Sequence, residues 1–377
     1  MSFAFAALSL LIWVYLVVFH GGFWRSGPVL PRTKASGQAK VVAIVPARDE
    51  AESIRQSIGS LLRQDYAGDF SVVLVDDNST DGTGEIAAAL EGGQRLTILR
   101  GAPLEPGWSG KLWAVHQGLA AAQAQKADYV LLTDADIEHA PDHITRLVAH
   151  AEQQKLALVS EMVRLHCSTW AERALIPAFI FFFQMLYPFR RVADPKVKLA
   201  GAAGGTMLID RRALEGVDGV QRIRGRLIDD CALAQQIKDA GGRIWLGHAE
   251  ETVSLRIYGD GGEIWAMIAR TAYEQLHRSP LALAGCILGM GIVYGVPPAF
   301  ALAAHGAPRL LGLGAWLLMA ASFQPTLARY RRSPWWGLAL PVIALFYMGA
   351  TLASALRHAA GRGGGWKNRV YPETPSA

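Results

Sequence analysis

Four short acidic motifs carry the residues that could do chemistry, and the first three follow apolar runs. Thr133-Asp134-Ala135-Asp136 places two carboxylates one residue apart where the run 129–132 ends. Such a pair can hold a divalent cation that also binds phosphate oxygens, and hard oxygen donors suit Mg²⁺ or Mn²⁺. A solvated Asp-rich turn ahead of a helix capped by Asp142 is the plainer alternative. Val75-Asp76-Asp77-Asn78-Ser79-Thr80-Asp81-Gly82-Thr83 offers carboxylate and amide oxygens to a base N–H or to ribose hydroxyls, while Ser79 or Thr80 can cap the next helix. Val45-Pro46-Ala47-Arg48-Asp49-Glu50 aims Arg48 and Glu50 at the same crevice. Ile228-Asp229-Asp230-Cys231 opens a helix, where the dipole stabilises adjacent carboxylates. One of these two could instead serve as a general base, because a like-charged neighbour and partial burial raise its proton affinity.

A fifth segment supplies a cation. Gly107-Trp108-Ser109-Gly110-Lys111 is a glycine-bracketed loop before a helix, able to direct Lys111 and a helix N-terminus at a diphosphate. The Walker A spacing is absent. A surface lysine is the alternative.

The elements that position these motifs read as α/β. Runs at 41–45 (VVAIV), 72–75 (VVLV), 96–99 and 129–132 are short and apolar, as strands buried on both faces are. Helical spacing at 50–62 and 112–124 alternates with them, which argues for a parallel, doubly wound sheet. In such sheets ligands sit beyond the carboxyl ends of the strands, where all the acidic motifs fall.

The ends of the chain have a different composition. About half of the 377 residues are apolar and fewer than a fifth are charged, too greasy for a wholly soluble enzyme. Residues 3–19 are uninterrupted and long enough to span a bilayer. They have no basic leader and no small-residue cleavage site, which argues for an uncleaved anchor. Three further apolar stretches lie at 281–304, 310–328 and 335–356, and Pro297 and Pro298 could kink the first into a re-entrant hairpin. The net charge of +5 forms no stripe that would suit nucleic acid; Arg25, Arg32, Lys34, Arg329, Arg331 and Arg332 flank apolar runs instead. Cys167, Cys231 and Cys286 are scattered and form neither metal spacing nor a disulfide framework. The resulting domain plan is an anchor at 1–22, a linker at 23–39, a cytoplasmic catalytic domain at 40–278, a membrane domain at 279–358 and a basic, aromatic tail at 359–377. Within the catalytic domain, 173–191 reads as a helix lying in the membrane interface, with a buried core helix as the alternative. Trp366, Lys367, Arg369 and Tyr371 in the tail suit an interface anchor.

VPARDE, VDDNSTDGT, TDAD and IDD-x-x-L, in this order, resemble the family 2 glycosyltransferases of GT-A fold. PGWSGKLWAVHQG (106–118), RGRLIDDCALA (224–234) and LIPAFIFFFQMLYPF (175–189) look like the hopanoid-biosynthesis-associated subfamily. The resemblance implies a GT-A fold, a doubly wound mixed sheet, with transmembrane helices at both ends of the chain, in a multi-pass protein of the cell (inner) membrane. It implies single-sugar, inverting transfer from a nucleotide-sugar, a UDP-sugar foremost, to a lipid acceptor. Asp76 and Asp77 would bind the uridine, with Pro46, Ala47, Arg48, Glu50 and Lys111 completing the donor site. Asp134 would contact nucleotide and metal, Asp136 would hold the metal at the diphosphate, and Asp230 would be the catalytic base beside Asp229, which replaces a more usual Glu. Processive members carry Gln-x-x-Arg-Trp after the base; Arg270-Thr-Ala-Tyr273 lies in that region without the Trp. Polyprenyl phosphate, ceramide or carotenoid acceptors remain open, as do an inactive nucleotide-sugar-binding scaffold and a small transporter.

Overall fold

The computed structural model describes residues 2–32, 38–361, 363, 365–366 and 369–370. The chain divides into two compact units. One takes Pro28–His166, Arg191–Arg256 and the terminal stretch from Gly365; the other takes Met1–Gly27, Cys167–Arg190 and Ile257–Gly364. The sheet-bearing unit leaves out 167–190 and ends at Arg256. Residues 28–30 belong with it, since Val29 bridges His248. Lys34 lies outside the described residues, as do Lys367, Asn368 and Tyr371 of the tail.

The first unit is built on one sheet. Its strands are β1 (Val41–Ala47), β2 (Phe70–Asp76), β3 (Leu96–Arg100), β4 (Tyr129–Thr133), β5 (Ile137–Glu138), β6 (Leu158–Arg164), β7 (Thr206–Asp210) and β8 (Ile244–Ser254). They lie in the order β3-β2-β1-β4-β7-β6-β8-β5. The first four run parallel, as their unbroken apolar runs suggest, and every residue of β1 is buried. The parallel expectation fails beyond β4, because β7 pairs antiparallel with both β4 and β6, and β5 with β8. The sheet is thus mixed. The helix Gly110–Ala124 packs on it closely: a Cβ on Gly118 would sit 2.4 Å from Ile44 Cγ2, so only glycine fits that approach.

Strand register sets the site. Parallel pairing puts Ala47 beside Asp76, and antiparallel pairing puts Thr133 beside Thr206. The ends of β1, β2 and β4 and the start of β7 therefore share one edge. The strand order reverses between β1 and β4, which opens a crevice there.

Local chemistry moves several boundaries. The helix expected from residue 50 begins at Ile54, because the Glu50 and Ala51 N–H groups donate instead to Thr83 Oγ1 (2.8 Å) and Asp81 Oδ2 (2.9 Å). Neither Ser79 nor Thr80 caps the helix Thr83–Ala88, whose N-cap is Gly82; Ser79 bonds to Asp76. Asp142 occupies the N-cap of the helix His143–Gln154 without a side-chain bond.

The second unit is helical. Four of its helical segments, Ser2–Phe19, Pro280–Ala303, Ala307–Arg329 and Trp336–Ala359, are long and apolar enough to cross a membrane. The proline pair does not make a hairpin. Pro297 and Pro298 lack the N–H groups that would bond four residues back, and the helix passes through a π turn at Gly291–Gly295. The carbonyls of Ile292 and Val293 there accept from Ser9 Oγ (2.9 Å) and Trp13 Nε1 (2.8 Å). In the helix Trp170–Leu186, Ile176, Ala178, Ile180 and Phe181 are fully buried, and Phe181 packs against Phe323 at 5.0 Å.

Candidate functional site

Lys111 is the hub of the crevice. Ser109 caps the helix Gly110–Ala124 by accepting from the Leu112 N–H, which fixes Lys111 in the first turn. Its Nζ lies 2.9 Å from Asp134 Oδ1 and 3.3 Å from Asp229 Oδ2. Burial works against its charge, but the Asp134 and Asp229 carboxylates overcome this and hold the ammonium well above its usual range. The two long motif stretches meet here, since the Ser109 N–H donates to the Arg224 carbonyl at 2.7 Å.

Asp229 and Asp230 open the helix Asp229–Asp239, as its acidic start suggests. Asp230 is tethered at both oxygens. Oδ2 accepts from the Gly204 N–H at 2.8 Å and Oδ1 from the Cys231 N–H at 2.7 Å. Burial first, and then the Asp229 carboxylate, push its carboxyl up to about 6, against the opposing pull of Lys111 and the two N–H groups. A carboxylate poised this close to neutral pH can accept a proton from an incoming hydroxyl.

Lys111, Asp134, Asp229, Asp230, Pro46 and Gly204 line one cleft of about 350 Å³, with Leu132, Met207 and Leu233 among its apolar walls. Arg48, Glu50, Asp76 and Asp77 stand outside that lining. They belong to two clasped loops at the ends of β1 and β2, with Ala47 between its strand neighbours. Arg48 Nη1 donates to the Asp77 carbonyl at 2.6 Å and lies 3.6 Å from Asp77 Oδ2, and Asp77 is buried. Asp49 and Asn78 adopt left-handed backbone conformations that Asp and Asn tolerate, and the Thr80 N–H donates to Asp49 Oδ1 at 2.8 Å. Asp76 is occupied locally, accepting from the Ser79 N–H at 3.0 Å. These residues shape the crevice wall more than they project into the cleft.

Asp136 lies apart from the cleft lining. Its carboxyl is pushed up to about 6 by burial, then by the Asp134 and Glu50 carboxylates, with Arg256 opposing. Among the described residues no trio of His, Cys, Asp or Glu forms a ready metal cage. A pair of hard carboxylates fits a different arrangement, in which Mg²⁺ or Mn²⁺ is held by one or two side chains and completed by substrate phosphates.

Sequence reasoning missed Gly204. A Cβ there would lie 3.4 Å from both Asp230 Oδ2 and Lys111 Nζ, so the glycine lets backbone reach the two charges. The run Gly201-Ala-Ala-Gly204-Gly205 was its only signal. Arg256, which faces Asp136, gave none.

Residues 42–217 match the family model Glycosyl transferase family 2. An undecaprenyl-phosphate 4-deoxy-4-formamido-L-arabinose transferase of Pseudomonas savastanoi pv. phaseolicola is 33% identical over 120 residues, covering 30% of this chain and 33% of that protein. The protein of the same description from Aeromonas hydrophila is 29% identical over 136 residues, 34% of this chain and 39% of its own length. The chain thus spans little more than a third of the curated relatives it matches. A solved mannosyltransferase from Pyrobaculum calidifontis, in complex with GDP-Man and Mn²⁺, superposes with a TM-score of 0.58 at 19% identity, over 98% of this chain and 100% of that one. That likeness shows the fold, a GT-A-like mixed sheet.

Proposed function

We propose that this chain, whose residues 42–217 match the family model Glycosyl transferase family 2, moves a single sugar from a nucleotide-sugar to a membrane lipid with inversion. The observation that carries the reading is the arrangement Asp134–Lys111–Asp229 at one end of the cleft with Asp230 tethered beside it. Lys111 would release its carboxylates in part to meet the leaving diphosphate, stabilising charge as it develops. Asp230 would take the proton of the acceptor oxygen as it attacks the anomeric carbon from the opposite face. Asp134 and Asp136 would hold Mg²⁺ or Mn²⁺, which supplies further neutralisation at the diphosphate. Pro46, Ala47, Arg48, Glu50, Asp76 and Asp77 would bound the nucleoside pocket, with UDP-sugars the first donors to try. Four apolar helices support a multi-pass membrane protein; the cell membrane would hold it, with the sheet unit facing the cytoplasm.

The acceptor has two readings with different chemistry. The resemblance to the hopanoid-associated subfamily favours a lipid hydroxyl, which needs a base. The relatives described as undecaprenyl-phosphate transferases favour a lipid phosphate, which is largely ionised at neutral pH (second pKa about 6) and needs none. The buried, raised carboxyl of Asp230 supports the hydroxyl.

Titrating purified protein with UDP- and GDP-sugars in Mn²⁺ tests the donor half. Binding of one donor, lost in Asp136→Ala, is the expected result; no binding in any metal would overturn the transferase reading and the nucleotide-sugar-binding scaffold alike. Lipid extracts then sort the acceptor. Asp230→Asn should cost roughly 10²–10⁴-fold with a hydroxyl acceptor and little with a phosphate.

A further inference from the structure

Directly behind the cleft, four buried side chains form one hydrogen-bonded chain. Thr133 Oγ1 lies 2.7 Å from the Gly205 carbonyl and 3.0 Å from His139 Nε2. His139 Nδ1 lies 2.8 Å from His143 Nδ1, and His143 Nε2 lies 2.7 Å from Glu161 Oε2. Thr133, His139, His143 and Glu161 are each no more than 3% exposed.

Proton counting gives the chain a direction. The Gly205 carbonyl can only accept, so the Thr133 hydroxyl donates to it. That uses the only hydroxyl hydrogen, so His139 Nε2–H must donate to Thr133. Burial, and then His143, hold the proton affinity of His139 well below the usual histidine range, so its Nδ1 is bare. His143 Nδ1–H donates to it, and His143 and Glu161 share one further proton across their 2.7 Å contact. The same geometry excludes a metal centre, because Glu161 meets the ring nitrogen of His143 opposite the one that faces His139. A cation between the two Nδ1 atoms would be out of its reach.

The Thr133–Gly205 end of the chain leads to the cleft. Thr133 precedes Asp134, the partner of Lys111. Gly205 follows Gly204, whose N–H holds Asp230. Beside Glu161 on β6, Ser160 Oγ grips residue 203 twice, donating to the Ala203 carbonyl (3.1 Å) and accepting from the Ala203 N–H (2.9 Å). The 203–205 segment is thus held from behind by Ser160 and Thr133 and presents its front to Asp230.

We propose that Glu161, His143 and His139 are positioning residues, which act through Thr133 and Gly205 to fix the base Asp230 relative to the Lys111–Asp134 pair. This rests on the role given to Asp230 above. The chain spans β4, the helix His143–Gln154 and β6, so it locks three elements that no single strand pairing would hold in common. Glu161, His143 and His139 stand outside the cleft lining, which the chain reaches only through Thr133, and are not catalytic.

The test compares Glu161→Leu and His143→Leu, which break the chain, with Glu161→Gln, whose amide can donate to His143 Nε2 and preserve its direction. Turnover per folded molecule, donor affinity and hydrogen exchange at the 203–206 amides are measured for each. Both Leu variants should bind donor within about 3-fold of the parent, lose at least about 10-fold in kcat and exchange faster at 203–206. Glu161→Gln should stay within about 3-fold in all three. Leu variants that unfold more easily but keep parental kcat and parental exchange would overturn the proposal, as would a Gln variant no better than Leu. If a Leu variant fails to fold, the same comparison is made between Glu161→Gln and Glu161→Ala. Should the parent bind donor yet turn over nothing, the reading of Asp230 as a base fails, while the exchange arm still decides whether the chain holds the 203–205 segment.

Discussion

The Gly204 N–H donates to Asp230 Oδ2 at 2.8 Å, while a Cβ on Gly204 would stand 3.4 Å from both that oxygen and Lys111 Nζ. A backbone donor therefore approaches the ion cluster at a point where an added methyl group would stand in van der Waals contact with both charges. The base is aimed by main chain, which cannot rotate away, and glycine keeps the approach open.

Gly204→Ala places a methyl group at van der Waals contact with both charges. Its φ is not in the left-handed region, so the backbone accepts alanine. The expected outcome is a roughly 10-fold loss of kcat with a thermal midpoint close to the parent's. Steady-state kinetics and calorimetry on one preparation check both halves.

Asp230 must be ionised to accept a proton, and its carboxyl sits at about 6. A raised carboxyl is protonated below that value, so kcat/KM should fall as pH drops through about 6 and level off above it. An acid limb near 4 would show that burial and Asp229 do not act on the base as described.

Lys111 offsets the charge of Asp134, Asp229 and Asp230. Lys111→Met removes that cation, so the proton affinity of Asp230 rises and the acid limb moves to higher pH. Turnover should fall on the order of 10²-fold from the loss of diphosphate stabilisation. Unchanged pH dependence would separate Lys111 from the base.

How much of this was legible in the sequence differs by element. The strands β1, β2 and β4 are unbroken apolar runs, and each delivers its motif at its carboxyl end, so the TDAD and VDDNST segments could be placed from spacing alone. β6 hides the same role because Ser160 and Glu161 interrupt it; both are buried, and their partners at Ala203 and His143 lie 43 and 18 residues away. No local pattern marks such pairings. β5, with two residues, is too short to read. Asp229 and Asp230 were visible as carboxylates, but the group that orients Asp230 is a peptide N–H and leaves no side-chain signature. The helix at 170–186 is ambiguous for a related reason: an apolar segment ending in two arginines reads alike whether its neighbours are lipid or Phe323.

The fold itself makes a sharp prediction at Gly118. Its missing Cβ would meet Ile44 Cγ2 at 2.4 Å, and Ile44 is fully buried in β1. Gly118→Ala should destabilise the sheet unit by about 1–3 kcal/mol, read as a lower denaturation midpoint with donor affinity per folded molecule unchanged. A neutral effect would mean that the helix Gly110–Ala124 sits farther from the sheet.

Transfer of a sugar to a lipid at this cleft is open to direct measurement. Protein reconstituted in bilayers, supplied with labelled nucleotide-sugars, Mn²⁺ and lipid extract, measures it directly as label entering the organic phase. Transfer should occur from one donor, one label per lipid, and fall sharply in Asp230→Asn while donor binding persists. Donor binding with no label in any lipid, or equal transfer by Asp230→Asn to a hydroxyl lipid, would contradict it.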